Sequence, residues 1–87
     1  MKKSYKVYVY ISPKQDIFDP QGEAILSALN SLGFSEVKNV RVGKFIKLVV
    51  DVEESEHIDA RVKKMCEKLL ANPVIEDFAF HVEGDLC

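Results

Sequence analysis

Residues 5 to 11 read Tyr-Lys-Val-Tyr-Val-Tyr-Ile, and this stretch decides the fold. Val7, Val9 and Ile11 alternate with Lys6, Tyr8 and Tyr10, so a strand here presents one aliphatic face to a core and one aromatic face elsewhere. Pro13 ends it, and a loop runs through Lys14, Gln15 and Asp16 to Phe18. Asp19-Pro20 marks a helix start, because the Asp carboxylate accepts the free amide hydrogens of the first turn and Pro20 at the first helical position sacrifices no hydrogen bond. Ile25, Leu26, Leu29 and Leu32 recur at helical spacing. Gly33 supplies a left-handed cap, with Phe34 folding back on the last turn, so the first helix spans 20 to 32.

From Val37 to Val52 the pattern returns to β, interrupted at Gly43-Lys44, where the spacing predicts two strands joined by a tight turn or one long kinked strand. Ile46, Leu48, Val50 and Val52 should face the core, with Phe45, Lys47, Val49 and Asp51 on the other side. Ser55 is expected to cap a second helix whose inward face holds Ile58, Val62, Met65, Cys66, Leu69 and Leu70, and Asn72-Pro73 closes it. Phe78, Phe80 and Val82 then alternate with Ala79, His81 and Glu83 as a closing strand. The order β-α-β-β-α-β gives an α+β, ferredoxin-like antiparallel sheet with two helices on one face. The uncovered face would carry Tyr8, Tyr10, Phe45 and Val49 beside Lys6, Lys47 and Asp51. That is more apolar than an idle solvent face requires, so dimerisation through the sheet is expected, with those four residues at the interface.

Composition narrows the function. The chain has 87 residues, room for a single domain over 1–87, and a chain this short buries only roughly 60–65% of its unfolded surface. An enzyme with its own enclosed cleft is therefore not expected. Twelve Lys plus Arg against 14 Asp plus Glu give a net charge of −2, which disfavours a general nucleic-acid binder. The two cysteines, Cys66 and Cys87, form no C-x-x-C pair, and Met-Lys-Lys leads directly into the first strand without an apolar leader, so the expected location is the cytoplasm. No apolar run is long enough for a membrane span.

No nucleophile and base stand at a spacing that signals catalysis. Cys66 falls on an apolar helix face, which favours an inert buried thiol, and His57 and His81 occupy ordinary amphipathic positions. The run Glu53-Glu54-Ser55-Glu56-His57 is explained by acidic residues beside a helix start, without a metal. Asp19-Pro20-Gln21-Gly22 offers amides to an anion, but Asp19 itself satisfies them. Arg41 and Lys44 flank a glycine at a turn, where backbone approaches a partner closely. The segment Gly43 to Val49 echoes the aromatic strand of an RNA-recognition domain but has Ile46 and Leu48 where stacking platforms belong.

Three segments together carry a resemblance: Asp19-Pro20-Gln21-Gly22, then Val40-Arg41-Val42-Gly43-Lys44-Phe45-Ile46, then Cys66 to Asp77 with its Leu69-Leu70-Ala71-Asn72-Pro73 run. In this order and spacing, from Tyr5 to Val82, the chain resembles the PurS family. These are the small subunits of phosphoribosylformylglycinamidine (FGAM) synthase in de novo purine synthesis. The Ser12 to Phe18 loop is longer and more charged than the family pattern, and the Gly84 to Cys87 tail lies outside it. The resemblance implies a homodimeric subunit of an ATP-dependent C–N ligase with no catalytic residue of its own. It implies partnership with a large synthetase subunit, PurL, that uses ATP and Mg, and a glutaminase subunit, PurQ. The small subunit joins the two so that ammonia passes between them before water converts it to non-nucleophilic ammonium. By matching positions, Arg41 and Lys44 are the expected partner contacts, with Asp19 and Gly22 shaping the entrance to the first helix. No cofactor, membrane or nucleic acid is implied for this chain. The alternative from fold analogy is a ferredoxin-like regulatory module that senses a small molecule.

Overall fold

The computed structural model describes residues 2–53 and 57–85. Strand β1 (Lys2–Pro13) is central, with β2 (Lys44–Glu53) and β3 (Glu76–Asp85) antiparallel on its two sides, giving the order β2-β1-β3. Helix α1 (Pro20–Ser31) lies between β1 and β2 in sequence, and α2 (Ile58–Met65) between β2 and β3. The register sets Val7 between Leu48 and Val82, and Val9 between Ile46 and Phe80. One face of three strands therefore gathers the aliphatic residues, as the alternation predicts. Val7, Val9 and Ile11 join Val62, Cys66 and Ala71 in the core, with Ile46, Leu48, Val50, Phe78, Phe80 and Val82 half-buried around them. Each aliphatic side chain fully buried there contributes about 1.5–3 kcal/mol.

Local signals account for α1. The Asp19 carboxylate accepts the Gly22 amide at 3.1 Å, and Pro20 occupies the first turn. At the other end Gly33 takes a φ of 99°, the Gly33 amide donates to Asn30 and the Phe34 amide to Leu29, a complete Schellman closure. Helix α2 starts at His57, which makes no side-chain cap bond; Ser55, expected in that role, lies outside the described residues. A single π turn over Cys66–Leu70 follows, closed by the Ala71 amide on the Cys66 carbonyl at 2.9 Å. The wider turn breaks the α-helical spacing. Leu69, expected on the inward face, is consequently 83% exposed.

The class, the antiparallel pairing and the alternation of helices with strands agree with the sequence, but the described order is β-α-β-α-β, one strand short of the expected β-α-β-β-α-β, and one helix is placed differently. Residues 37–43 join no ladder, and no turn closes at Gly43-Lys44; Gly33 is the only described residue with positive φ, whereas the tightest hairpin turns require one. Gly43 is instead seated so close to the Ile11 carbonyl that a side chain would collide with it. Only α2 covers the sheet. Helix α1 contributes nothing to the core and projects beyond the end of the sheet, with residues 34–43 returning beside it. The chain is accordingly 55 × 28 × 14 Å with a radius of gyration of 17.0 Å, where a compact chain of this length has about 12 Å.

Candidate interaction surfaces

The outer face of the sheet is built from the residues of β1 that point away from α2. Tyr8 stacks on Phe45 of β2 (ring centroids 5.9 Å apart, planes 10° from parallel) and on His81 of β3 at 6.3 Å. Tyr10 lies over Phe45 at 5.2 Å, so three of the four expected interface residues form one continuous row. Val49, the fourth, sits opposite Lys6 in the register and is 68% exposed. The Tyr8 hydroxyl donates to Glu83 Oε2 at 2.8 Å, and this bond to a carboxylate raises the phenol pKa above its ordinary value. The row is thus held flat by its own stacking, with Lys6, Lys47 and Asp51 exposed around it. Such a ribbed apolar surface suits a second flat protein surface.

A second cluster sits where the α1 arm leaves the sheet, and it brings together Asp19, Gly22, Arg41 and Lys44. The Asp19 carboxylate accepts the Val42 amide at 2.7 Å as well as that of Gly22, tying the return segment to the helix start. Those backbone bonds, Val42 first, hold its pKa below the usual carboxylate range, with help from the Arg41 charge. Gly22 is buried because the Val40 carbonyl occupies the space a Cβ would need. Arg41 is half-buried and donates to the carbonyls of Lys14 (2.5 Å) and Gln15 (2.8 Å). Lys44 pairs across the sheet end with Glu76 at 3.7 Å. The guanidinium of Arg41 fixes the loop after β1, and the exposed Lys44 ammonium is the cation of this cluster that faces outward.

Sequence reasoning missed a third feature. Beside α2 a groove of about 490 Å³ is lined by Leu48, Met65, Leu69 and Leu70, with Arg61, Lys64 and Lys68 along it. Its one legible signal was the spacing of Arg61, Lys64 and Lys68, which places three cations on one helical side. It exists because β2 receives no helix of its own above it. Cys66 is fully buried, and burial pushes its thiol pKa up. Among the described residues no group of three or more His, Cys, Asp or Glu is placed to hold a metal.

Comparison with known proteins places these surfaces in a family. Residues 6–84 match the family model PurS, described as phosphoribosylformylglycinamidine (FGAM) synthase. The Bacillus subtilis phosphoribosylformylglycinamidine synthase subunit PurS is 49% identical over 79 residues, which are 91% of this chain and 93% of that protein. Its crystal structure superposes with a TM-score of 0.80, covering 92% of this chain and 99% of the other. A chain in the structure of PurLQS from Thermotoga maritima is 35% identical, with a TM-score of 0.81 over 92% of this chain and 98% of its own length.

Proposed function

The chain belongs to the PurS family of FGAM synthase subunits, components of a ligase complex of purine biosynthesis, and we propose that within that complex it bridges the glutaminase and synthetase subunits and supports ammonia transfer. The observation that carries this reading is the full-length similarity to a chain of the Thermotoga assembly whose name joins PurL, PurQ and PurS. The chemistry belongs to the neighbours: PurL with ATP and Mg, PurQ with glutamine. The small subunit supplies docking surfaces and geometry. Lys44 and Arg41 contact the partners, with Asp19 and Gly22 fixing the arm they belong to. The outer sheet face, with Tyr8, Tyr10, Phe45 and Val49, associates with a second copy. A cytoplasmic location accompanies this role; no helix among the described residues is long and apolar enough to cross a membrane.

Reconstitution tests the proposal. The purified chain alone should show neither glutaminase nor synthetase activity, and adding it to PurL and PurQ should raise glutamine-dependent FGAM formation. Full activity and stable association of PurL with PurQ in its absence would overturn the bridging role. For the outer face, Tyr8→Glu or Phe45→Glu should lower the particle mass in light scattering, and an unchanged mass for both variants would place self-association elsewhere.

A further inference from the structure

At the end of the sheet where Lys44 lies, the loop after β1, the return segment and the turn after α2 converge, and they display apolar side chains that the fold does not use. Phe18 is 74% exposed, Val74 77% and Ile75 40%. None of the three forms the core or packs against it. The segments are nonetheless fastened to one another. The Lys14 amide donates to the Ile75 carbonyl at 2.8 Å, and Arg41 donates to the Lys14 and Gln15 carbonyls. Asn72 is the hub of the turn after α2. Its side-chain oxygen accepts the Val74 amide at 3.0 Å, its carbonyl accepts the amides of Ile75 (3.2 Å) and Glu76 (2.7 Å), and its own amide donates to Glu76 Oε1 at 2.7 Å. The other oxygen of that carboxylate pairs with Lys44. The π turn at the end of α2 sets the hub in place, because the Ala71 amide closes it immediately before Asn72. Such turns are rare and gather at functional sites.

Val74 and Phe18 are thus held out on fastened backbone, so burying them against a partner costs little further ordering. Side chains exposed by about three quarters stand on convex ground, and two convex tips do not fit each other, so a second copy is not the occupant. Three side chains also offer on the order of a few hundred Å², well below the roughly 800 Å² per partner that holds a stable pair of chains. The tip is therefore an anchor within a larger contact with a different, concave protein. Lys44, its side chain 65% exposed against 17% for Glu76, adds a cation at the rim. Apolar pockets form preferentially between domains, and the large synthetase subunit is the partner of a size that divides into domains. We propose that Val74, Ile75 and Phe18 dock into an apolar pocket of PurL, with Lys44 meeting an acidic group at the pocket's edge and Asn72 positioning the tip. The inference rests on the chain's place in the synthase complex, and it names the surface used and the subunit met.

Titrating the full-length chain, fluorescently labelled at its N-terminus, with purified PurL measures this contact. Val74→Asp and Phe18→Asp should each weaken binding about thirtyfold, as for anchor residues, while the particle mass and urea midpoint of the chain alone stay unchanged. Unaltered affinity in both variants overturns the proposal. Asn72→Ala should also weaken binding, and Asn72→Asp, which keeps an oxygen for the Val74 amide, should restore it. A lowered urea midpoint with unaltered PurL affinity in Asn72→Ala would remove the positioning role. In hydrogen exchange, PurL alone should slow the amides of residues 72–76; slowing by PurQ alone, or by neither, overturns the docking. If both tip variants bind PurL normally and still stimulate the reconstituted synthase, the docking falls and the bridging role stands. If PurL binds through this tip without any rise in glutamine-dependent FGAM formation, the docking stands and the bridging role falls.

Discussion

Asp19 holds two backbone amides with one carboxylate, and its chemistry sets a pH dependence. Because its folded pKa is depressed, the stabilisation it gives is fully present above the unfolded value of about 3.9 and is lost as pH falls through the lower folded value. The Val42 amide resonance should therefore hold its hydrogen-bonded position at neutral pH and move only below about pH 4. In Asp19→Asn the oxygen retained for Gly22 leaves an NH2 facing the Val42 N–H, so Val42 should lose its bonded shift at every pH while Gly22 keeps it. A Val42 resonance unmoved in the variant would mean the contact is absent in solution. Cys66 makes a separate point. Its burial predicts that in a Cys87→Ser variant the remaining thiol reacts with a disulfide reagent more than about tenfold slower in the native chain than in urea. Equal rates would place it at the surface.

Two glycines of different origin test the elements they serve. Gly33→Ala must hold an L side chain in the left-handed region at the end of α1, a cost of about 1 kcal/mol. Gly43→Ala must displace the Ile11 backbone, and about 2 kcal/mol or more is expected, read as a lower urea midpoint at unchanged slope. A smaller loss at Gly43 than at Gly33 would show that the approach to Ile11 is loose. The contrast also marks what a sequence can reveal. Asp19, Pro20 and Gly33 act within a turn of themselves, so the limits of α1 were legible. The faces of β1, β2 and β3 were legible for the same reason, since alternation needs no knowledge of neighbours. Gly43 reads as a hairpin residue because turn chemistry is local, but what it meets is Ile11, thirty-odd residues earlier in the chain. Leu69 fits the stripe of α2 until one π turn rotates it outward, and nothing in its neighbours' identities announces that turn. Arg41 looks free beside a glycine; its two carbonyl partners come from the loop after β1.

At the scale of the molecule, the exposed outer face of the sheet is the surface on which assembly is expected. Association of two copies through that face, as proposed, is a second-order event. Refolding followed by a probe at Tyr8 should show a late phase whose rate rises in proportion to chain concentration, while secondary structure returns at a rate independent of it. A concentration-independent late phase would mean that the face stays unpaired. The projecting arm also bears on degradation. A protease added to the isolated chain should cut first within residues 14–43, which lie outside the core, and leave the strands intact; first cuts within β1 would show that the arm is held as firmly as the sheet.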